Sequence, residues 1–233
     1  MATYNGEKFI REQLESIVPY MNANDELIVS DDGSSDATKL ILGEFIKTRV
    51  NIRCIDGPKN GVVKNFENAI KAASKDILMF ADQDDVWLPE KLSRIRELFE
   101  SQKNVELVLH DMYMCSNEQI EKKQYGQSDF SQRKRKHGIL YNMLYSGYYG
   151  CCMCFRKELK DEILPFSDKV NMYDQWIGLI GEYRKSSVFL NEPLIIHRVH
   201  GNNMTQRLPL FESIKYKKKI IVAFMDYLKR KRK

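Results

Sequence analysis

Apolar positions in the first half of the chain recur in two alternating rhythms. Phe9, Ile10, Leu14 and Ile17 form a stripe at helical spacing after Gly6. Leu27-Ile28-Val29-Ser30 is a short apolar run that stops at Asp31-Asp32-Gly33, the pattern of a buried strand entering a turn. Ser34 or Ser35 can cap a helix predicted over 37–48. A short strand over 52–55 leads to the Gly57-Pro58 turn signal, and Val63, Phe66, Ile70 and Ala73 space out a helix over 62–73. Ile77-Leu78-Met79-Phe80 is a second apolar strand, running into Asp82-Gln83-Asp84-Asp85. Pro89 stands where a helix starts, with Leu92, Ile95, Leu98 and Phe99 as its apolar face, and 105–109 is another strand. Strands alternating with helices of this length predict an α/β fold with a mostly parallel sheet, whose ligands bind beyond the carboxyl ends of the strands. Both acidic clusters fall at those ends.

The second half is less regular. Residues 116–137 are polar and charged, which predicts a mobile loop or linker. A small-residue strand is predicted over 147–155, a helix over 173–183, and a strand over 193–199 leading into His200-Gly201-Asn202-Asn203. Composition adds two corrections. Five cysteines, three of them in Cys151-Cys152-Met153-Cys154, have no paired spacing and no histidine near in sequence, so they read as small core residues in a reducing compartment. The net charge of +5 is a local property: residues 215–233 carry nine Lys/Arg against Asp226, and the other 214 residues carry 28 basic and 31 acidic side chains. A mildly acidic body with a basic end excludes a nucleic-acid groove across a domain face and predicts a tail that meets an anionic surface. No apolar run approaches the ~20 residues needed to span a bilayer. With no secretory signal visible, the expected location is cytoplasmic.

The candidate chemistry lies at strand ends. Two carboxylates at i and i+2, Asp82 and Asp84, can converge on one hard cation that fills its other positions with water and phosphate oxygens; the competing possibility is a solvated turn. Asp31 and Asp32 can accept hydrogen bonds from a base or ribose, or simply form a turn and helix cap. Asp174, just ahead of Trp176, can be a desolvated general base or a helix cap. His200 can contact a metal or phosphate, and Lys64 opens a helix where a diphosphate could meet backbone N–H groups.

In order along the chain, Met1-Ala2-Thr3-Tyr4-Asn5-Gly6, Val29-Ser30-Asp31-Asp32-Gly33-Ser34-Ser35-Asp36, Asn60-Gly61-Val62-Val63-Lys64-Asn65-Phe66 and Phe80-Ala81-Asp82-Gln83-Asp84-Asp85-Val86-Trp87 resemble glycosyltransferase family 2, which has the GT-A fold. The Asp-Gln-Asp-Asp-x-Trp form, with Tyr173-Asp174-Gln175-Trp176 and His200-Gly201-Asn202-Asn203, resembles its rhamnosyltransferase-like branch. The resemblance covers roughly 1–205. It implies a Rossmann-like sheet flanked by helices, with a nucleotide-binding half at 1–115, an acceptor half at 138–205, and a basic helix or tail at 206–233. It implies a metal-dependent, inverting transfer of a sugar from a UDP- or dTDP-sugar to a glycan or lipid-linked acceptor in cell-surface polysaccharide synthesis. By position, Thr3, Tyr4, Asn5, Asp31, Asp32, Lys64 and Asp82 would bind the nucleotide sugar, and Asp82, Asp84 and His200 would hold Mg²⁺ or Mn²⁺. Gly150, Cys151 and Trp176 would border the acceptor, and Asp174 would be the base.

Two alternatives compete. A sugar-phosphate nucleotidyltransferase would need a Gly-rich, Arg-containing loop near the N-terminus, which the sequence lacks. An inactive sugar-nucleotide-binding relic is encouraged by one departure. Family members carry an apolar strand just before the Ala-Thr-Tyr-Asn-Gly segment, whereas this chain opens at Met1. The expectation is a sheet short of most of its first strand, and a stability below that of a complete homologue. At the other end, Ile214, Ile221, Phe224, Met225 and Leu228 recur at near-helical spacing. They predict either an interfacial helix, making peripheral contact with an anionic membrane through 214–233, or a closing helix on the domain.

Overall fold

The computed structural model describes residues 1–48, 51–129, 138–201 and 210–232. Three parallel strands form the first sheet, in the order β1 (Ala2–Thr3), β2 (Leu27–Asp31), β3 (Ile52–Asp56). The helices α1 (Ile10–Ile17), α2 (Thr38–Thr48) and α3 (Gly61–Ala72) supply the connections. α1 turns Ile10, Leu14 and Ile17 inward at helical spacing, against Val29 of the fully buried β2. β1 is as short as the sequence suggests. The N-terminal ammonium donates to Ile28 O at 2.8 Å, and burial lowers its pKa to about 5 against a weaker opposing pull from Asp82.

The second sheet has five strands. Its order is β4 (Ile77–Met79), β7 (Met153–Arg156), β6 (Leu107–Cys115), β8 (Ser187–Arg198), β5 (Val86–Trp87). β6 and β8 run parallel, and the pairs β4–β7, β6–β7 and β5–β8 are antiparallel. The first sheet is therefore wholly parallel, and the second is mixed. α4 (Lys91–Ser101) buries Ile95, Leu98 and Phe99 against this sheet.

Between β6 and β7 lie α5 (Asn117–Glu121) and α6 (Ile139–Leu144). α5 is closed by a capping box from Ser116 and Gln119, so part of the predicted linker is ordered, whereas 130–137 lies outside the described residues. The strand predicted from 147 starts later: Gly150–Cys152 is a 3₁₀ turn and β7 follows it. α7 (Lys157–Ile163) and α8 (Tyr173–Tyr183) come next, and α9 (Leu210–Lys231) closes the chain. α9 puts Ile220, Ala223, Phe224 and Tyr227 into the same core cluster as Trp176, so its inner face closes the domain.

Candidate active site

Two acidic turns leave the two sheets, and their surroundings differ. Asp31, the last residue of β2, is buried and fully engaged. Its carboxylate accepts from Thr3 Oγ1 at 3.1 Å, Ser34 Oγ at 2.5 Å, and the backbone N–H groups of Gly33 and Ser34. Burial alone would raise its pKa, but these four donors outweigh it and hold the carboxyl below its ordinary range. Asp32 accepts from the backbone N–H groups of Lys59 at 2.6 Å and Gly61 at 2.9 Å, fastening the loop ahead of α3. Gly57 allows this approach: a Cβ there would stand 2.8 Å from both Asp31 O and Asp32 Cα. Lys64 bonds Glu67 at 2.9 Å and Phe166 O at 3.1 Å, so the cation expected near a diphosphate is tied to α3 and the 166–168 segment.

The second turn joins β4 to β5. The antiparallel register of β5 on β8 pairs Val86 with Ile196, which sets Asp85 opposite His197. His197 Nδ1 lies 2.7 Å from Asp85 Oδ1, and three residues on, His200 Nε2 lies 2.9 Å from Asp84 Oδ2. Burial opposes charge on His197, but Asp85 and Cys151 more than offset it and push the imidazolium pKa up to about 12. Asp82 keeps some solvent contact, yet loss of hydration, followed by the charges of Asp85 and Asp84, pushes its carboxyl up to about 8. Asp84 is also raised, by burial first and then by Asp85, against the pull of His200. Asp85 Oδ2 is buried without a hydrogen-bond partner. This turn has more negative charge than its neighbours compensate.

Asp174 reaches the same place from the other half of the chain. It sits in the first turn of α8, buried, accepting the backbone N–H of Gln175 at 2.7 Å and that of Gly150. Burial outweighs these bonds and raises its pKa to about 6. Its charge is near enough to raise the pKa of Asp82. The sequence places these residues 92 positions apart, and the fold brings their elements together: the ring of Tyr173, beside Asp174, meets that of Phe80, two residues before Asp82, edge-on at 5.1 Å.

A family model described as Glycosyl transferase family 2 matches residues 1–164. The chain belongs to glycosyltransferase family 2. Among curated relatives, the dTDP-rhamnosyl transferase RfbG of Shigella flexneri is 26% identical over 98% of this chain and 81% of that protein. A UDP-Glc:alpha-D-GlcNAc-diphosphoundecaprenol beta-1,3-glucosyltransferase of Escherichia coli, WfgD, is 36% identical over 40% of this chain and 36% of its own length. Among solved structures, S. aureus TarS 1–349 in complex with UDP-GlcNAc superimposes with a TM-score of 0.73 at 20% identity, over 95% of this chain and 64% of that one. Glucosyl-3-phosphoglycerate synthase from Mycobacterium tuberculosis, solved with Mn²⁺ and UDP, gives 0.60 at 18% identity over 97% and 77%. These likenesses show the GT-A fold.

For this family 2 chain, the fold gathers most of the residues singled out in the sequence. Thr3 is bonded to Asp31, and Asn5, at φ +47°, accepts the Ser35 N–H through Oδ1. Tyr4 is exposed, with its backbone N–H held by Gln83 Oε1 at 2.9 Å. Trp176 is placed differently. It is fully buried, donates its indole N–H to Ile163 O at 3.0 Å, and meets Tyr227 of α9 edge-on, so it is a core residue and not a wall of an acceptor pocket. Cys151 does have a histidine near it, contrary to the reading from local spacing. Asp85, Cys151 and His197 offer ligand-type atoms within 4.8 Å of one another, although 46 positions separate Cys151 from His197. All five thiols are free and four are buried.

Sequence reasoning missed three supports. Gln83, inside the acidic motif, clamps Tyr4 by both its amide atoms. Arg198 donates to Asp84 O and Glu12 and stacks over Phe9, whose ring in turn stacks on His200. His197 anchors Asp85. The available signal was adjacency to motif residues; their partners lie more than 100 positions away for both Arg198 and His197.

Proposed function

We propose that this protein is a cation-dependent, inverting glycosyltransferase that moves a sugar from a UDP- or dTDP-sugar to a glycan or lipid-linked acceptor. The observation that carries this reading is the convergence of Asp174 on the undercompensated turn Asp82–Asp85. The turn suits a hard divalent ion. Asp82 and Asp84 offer carboxylate oxygens, His200 stands on Asp84, and the raised carboxyl pKa values together with the unpartnered Asp85 Oδ2 mark a place that favours added positive charge. Mg²⁺ or Mn²⁺ held there would neutralise charge on a departing nucleoside diphosphate.

The chain's own residues supply the rest. Asp31, Thr3 and Asn5 form a pre-organised rim at the end of β2 for the nucleotide. Asp174 accepts the proton of the acceptor hydroxyl as that oxygen bonds to the anomeric carbon and the bond from that carbon to the diphosphate oxygen breaks. One in-line displacement inverts the centre. With its pKa raised to about 6, Asp174 is ionised at neutral pH and a stronger base than an ordinary aspartate. The N–H groups of Gln175 and Gly150 fix the direction of its carboxylate. The rhamnosyl and glucosyl activities named for the relatives support a hexosyl donor, and the acceptor named for the second supports a diphosphate-lipid one.

Asp174→Asn keeps the fold and the donor site but removes the base. The expected outcome is Mn²⁺-dependent binding of UDP- or dTDP-sugar within a few-fold of the parent, with transfer reduced about 10²–10⁴-fold. Calorimetric titration and product detection with a panel of sugar nucleotides measure the two quantities. Full transfer by Asp174→Asn overturns the base assignment, and no donor binding by the parent overturns the reading as a whole.

A further inference from the structure

The outer face of α9 does not match its inner one. Phe211, Ile214, Val222 and Met225 are exposed, Phe211 by 80%, and they fall on one face with Lys215, Lys218 and Lys229. At 100° per residue these seven positions occupy roughly a 100° arc. The opposite face, with Ile220, Ala223, Phe224 and Tyr227, is already packed in the core. Within α9 seven Lys/Arg face only Glu212 and Asp226, and Asp226 is engaged by Lys169 at 2.7 Å.

A second element adds to this face. α6 packs beside α9, with Lys217 Nζ 5.2 Å from the centre of the Tyr145 ring just past its end. α6 leaves Leu140 and Leu144 exposed, Leu140 by 79%, and Tyr145 is exposed as well. Side chains this large and apolar on two neighbouring elements, interleaved with lysines, are unlike scattered surface leucines.

We infer that α9 and α6 together form a docking face for an anionic lipid bilayer surface. The apolar side chains would enter the headgroup–acyl boundary while the lysines meet lipid phosphates. Charge selects this occupant: a second copy of the chain would bring an equally basic helix against the first, whereas an anionic leaflet complements it. The helix lies along the surface, since among the described residues no helix is long and apolar enough to cross a membrane.

The position of this face gives it a role. Gln175, next to Asp174, donates through Nε2 to Asn142 O of α6 at 2.7 Å, and α9 packs against α8 through Trp176 and Tyr183. Both lipid-facing elements therefore grip the helix that carries Asp174. The bilayer would lie on the acceptor side, where a lipid-linked acceptor would be presented. Bilayer docking does not require sugar transfer, so the two readings fail separately.

Flotation of the full chain with phosphatidylcholine vesicles, with and without phosphatidylglycerol, tests the proposal. The parent is expected to bind the anionic vesicles at least about tenfold more than the neutral ones. Phe211→Glu/Val222→Glu and Lys215→Glu/Lys218→Glu should each lower anionic-vesicle binding at least about tenfold. Leu140→Glu/Leu144→Glu should act in the same direction. All six positions except Lys215 and Lys218 are apolar and exposed, so melting temperature and nucleotide binding should stay at the parent's values. Absence of parent flotation, or parent-like flotation by either α9 double variant, overturns the proposal. Parent-like flotation by the α6 variant removes α6 from the face. A dimer in sedimentation that the α9 variants dissociate, without vesicle binding, assigns the face to a second copy instead and overturns it too.

Discussion

Asp31-Asp32 and Asp82–Asp85 look alike in sequence, as acidic runs ending an apolar strand, and the structure separates them by counting donors. Asp31 receives four hydrogen bonds from its own loop and from Thr3, and its pKa falls. Asp32 is spent on the loop before α3. Asp82 and Asp84 lose hydration through burial, face the charge of Asp85 besides, and gain too few donors in return, so their pKa values rise. The first turn is a finished scaffold that holds its shape before any ligand arrives. The second holds two acids above their ordinary pKa range, which fits the proposed role of taking up a cation. The lesson is that a strand-end carboxylate becomes a candidate ligand site through what its neighbours fail to supply.

The sharpest way to break this contrast is to remove one carboxylate from each turn and measure donor binding with and without Mn²⁺. Asp84→Ala is expected to lose cation-dependent binding of the nucleotide sugar by at least about 100-fold, because a direct ligand should cost no less than a supporting residue does. Asp31→Ala should weaken donor binding in both conditions while leaving the ratio between them intact. An Asp84→Ala protein that still gains affinity from Mn²⁺ would erase the distinction.

The same contrast explains what could be read in advance. The elements of the first half were legible because each apolar run has one clear period, as in α1, β2 and α3. The acidic turns were legible as positions, since strand ends follow from those runs. Their difference was not, because the donors to Asp31 include Thr3 from a strand 28 residues earlier and the partner of Asp85 comes from 112 residues later. Trp176 failed for a related reason. Asp174, two residues earlier, lies close enough to act on Asp82, but two residues along a helix turn a side chain about 200° around the axis, into the core beside Tyr227. The cysteine reading looked for a histidine near in sequence; a 3₁₀ turn stands at Gly150–Cys152 in place of the predicted strand start, and the histidine beside Cys151 is His197, from the distant β8.

Stability should separate the turns with opposite signs. Asp31→Ala strands Thr3, Ser34 and the Gly33 N–H without their acceptor, which costs about 1–3 kcal/mol. Asp82→Asn removes a crowded charge and should raise the unfolding free energy in chelator at pH 8. Urea denaturation of both variants beside the parent gives the two differences. Destabilisation of comparable size by Asp82→Asn would mean that its carboxylate is already satisfied in the cation-free protein.

The smallest and most graded effect is the pH dependence of the proposed cation site. Asp82 is an acid whose folded pKa, about 8, lies above its ordinary value of 3.8. Its contribution to stability is therefore complete below the ordinary value and is lost as pH rises through about 8, the reverse of Asp31, whose lowered pKa gives stability that is lost as pH falls. A divalent ion held by Asp82 would have to displace its proton below pH 8. Apparent Mn²⁺ affinity is expected to climb about tenfold per pH unit from 6 to 8 and then level off. Calorimetry in two buffers of different ionisation enthalpy counts the released proton directly. In Asp82→Asn the slope should fall, because the proton that competes with the ion is gone. A parent whose Mn²⁺ affinity is flat across that window would place the ion away from Asp82 and leave the two turns chemically equivalent.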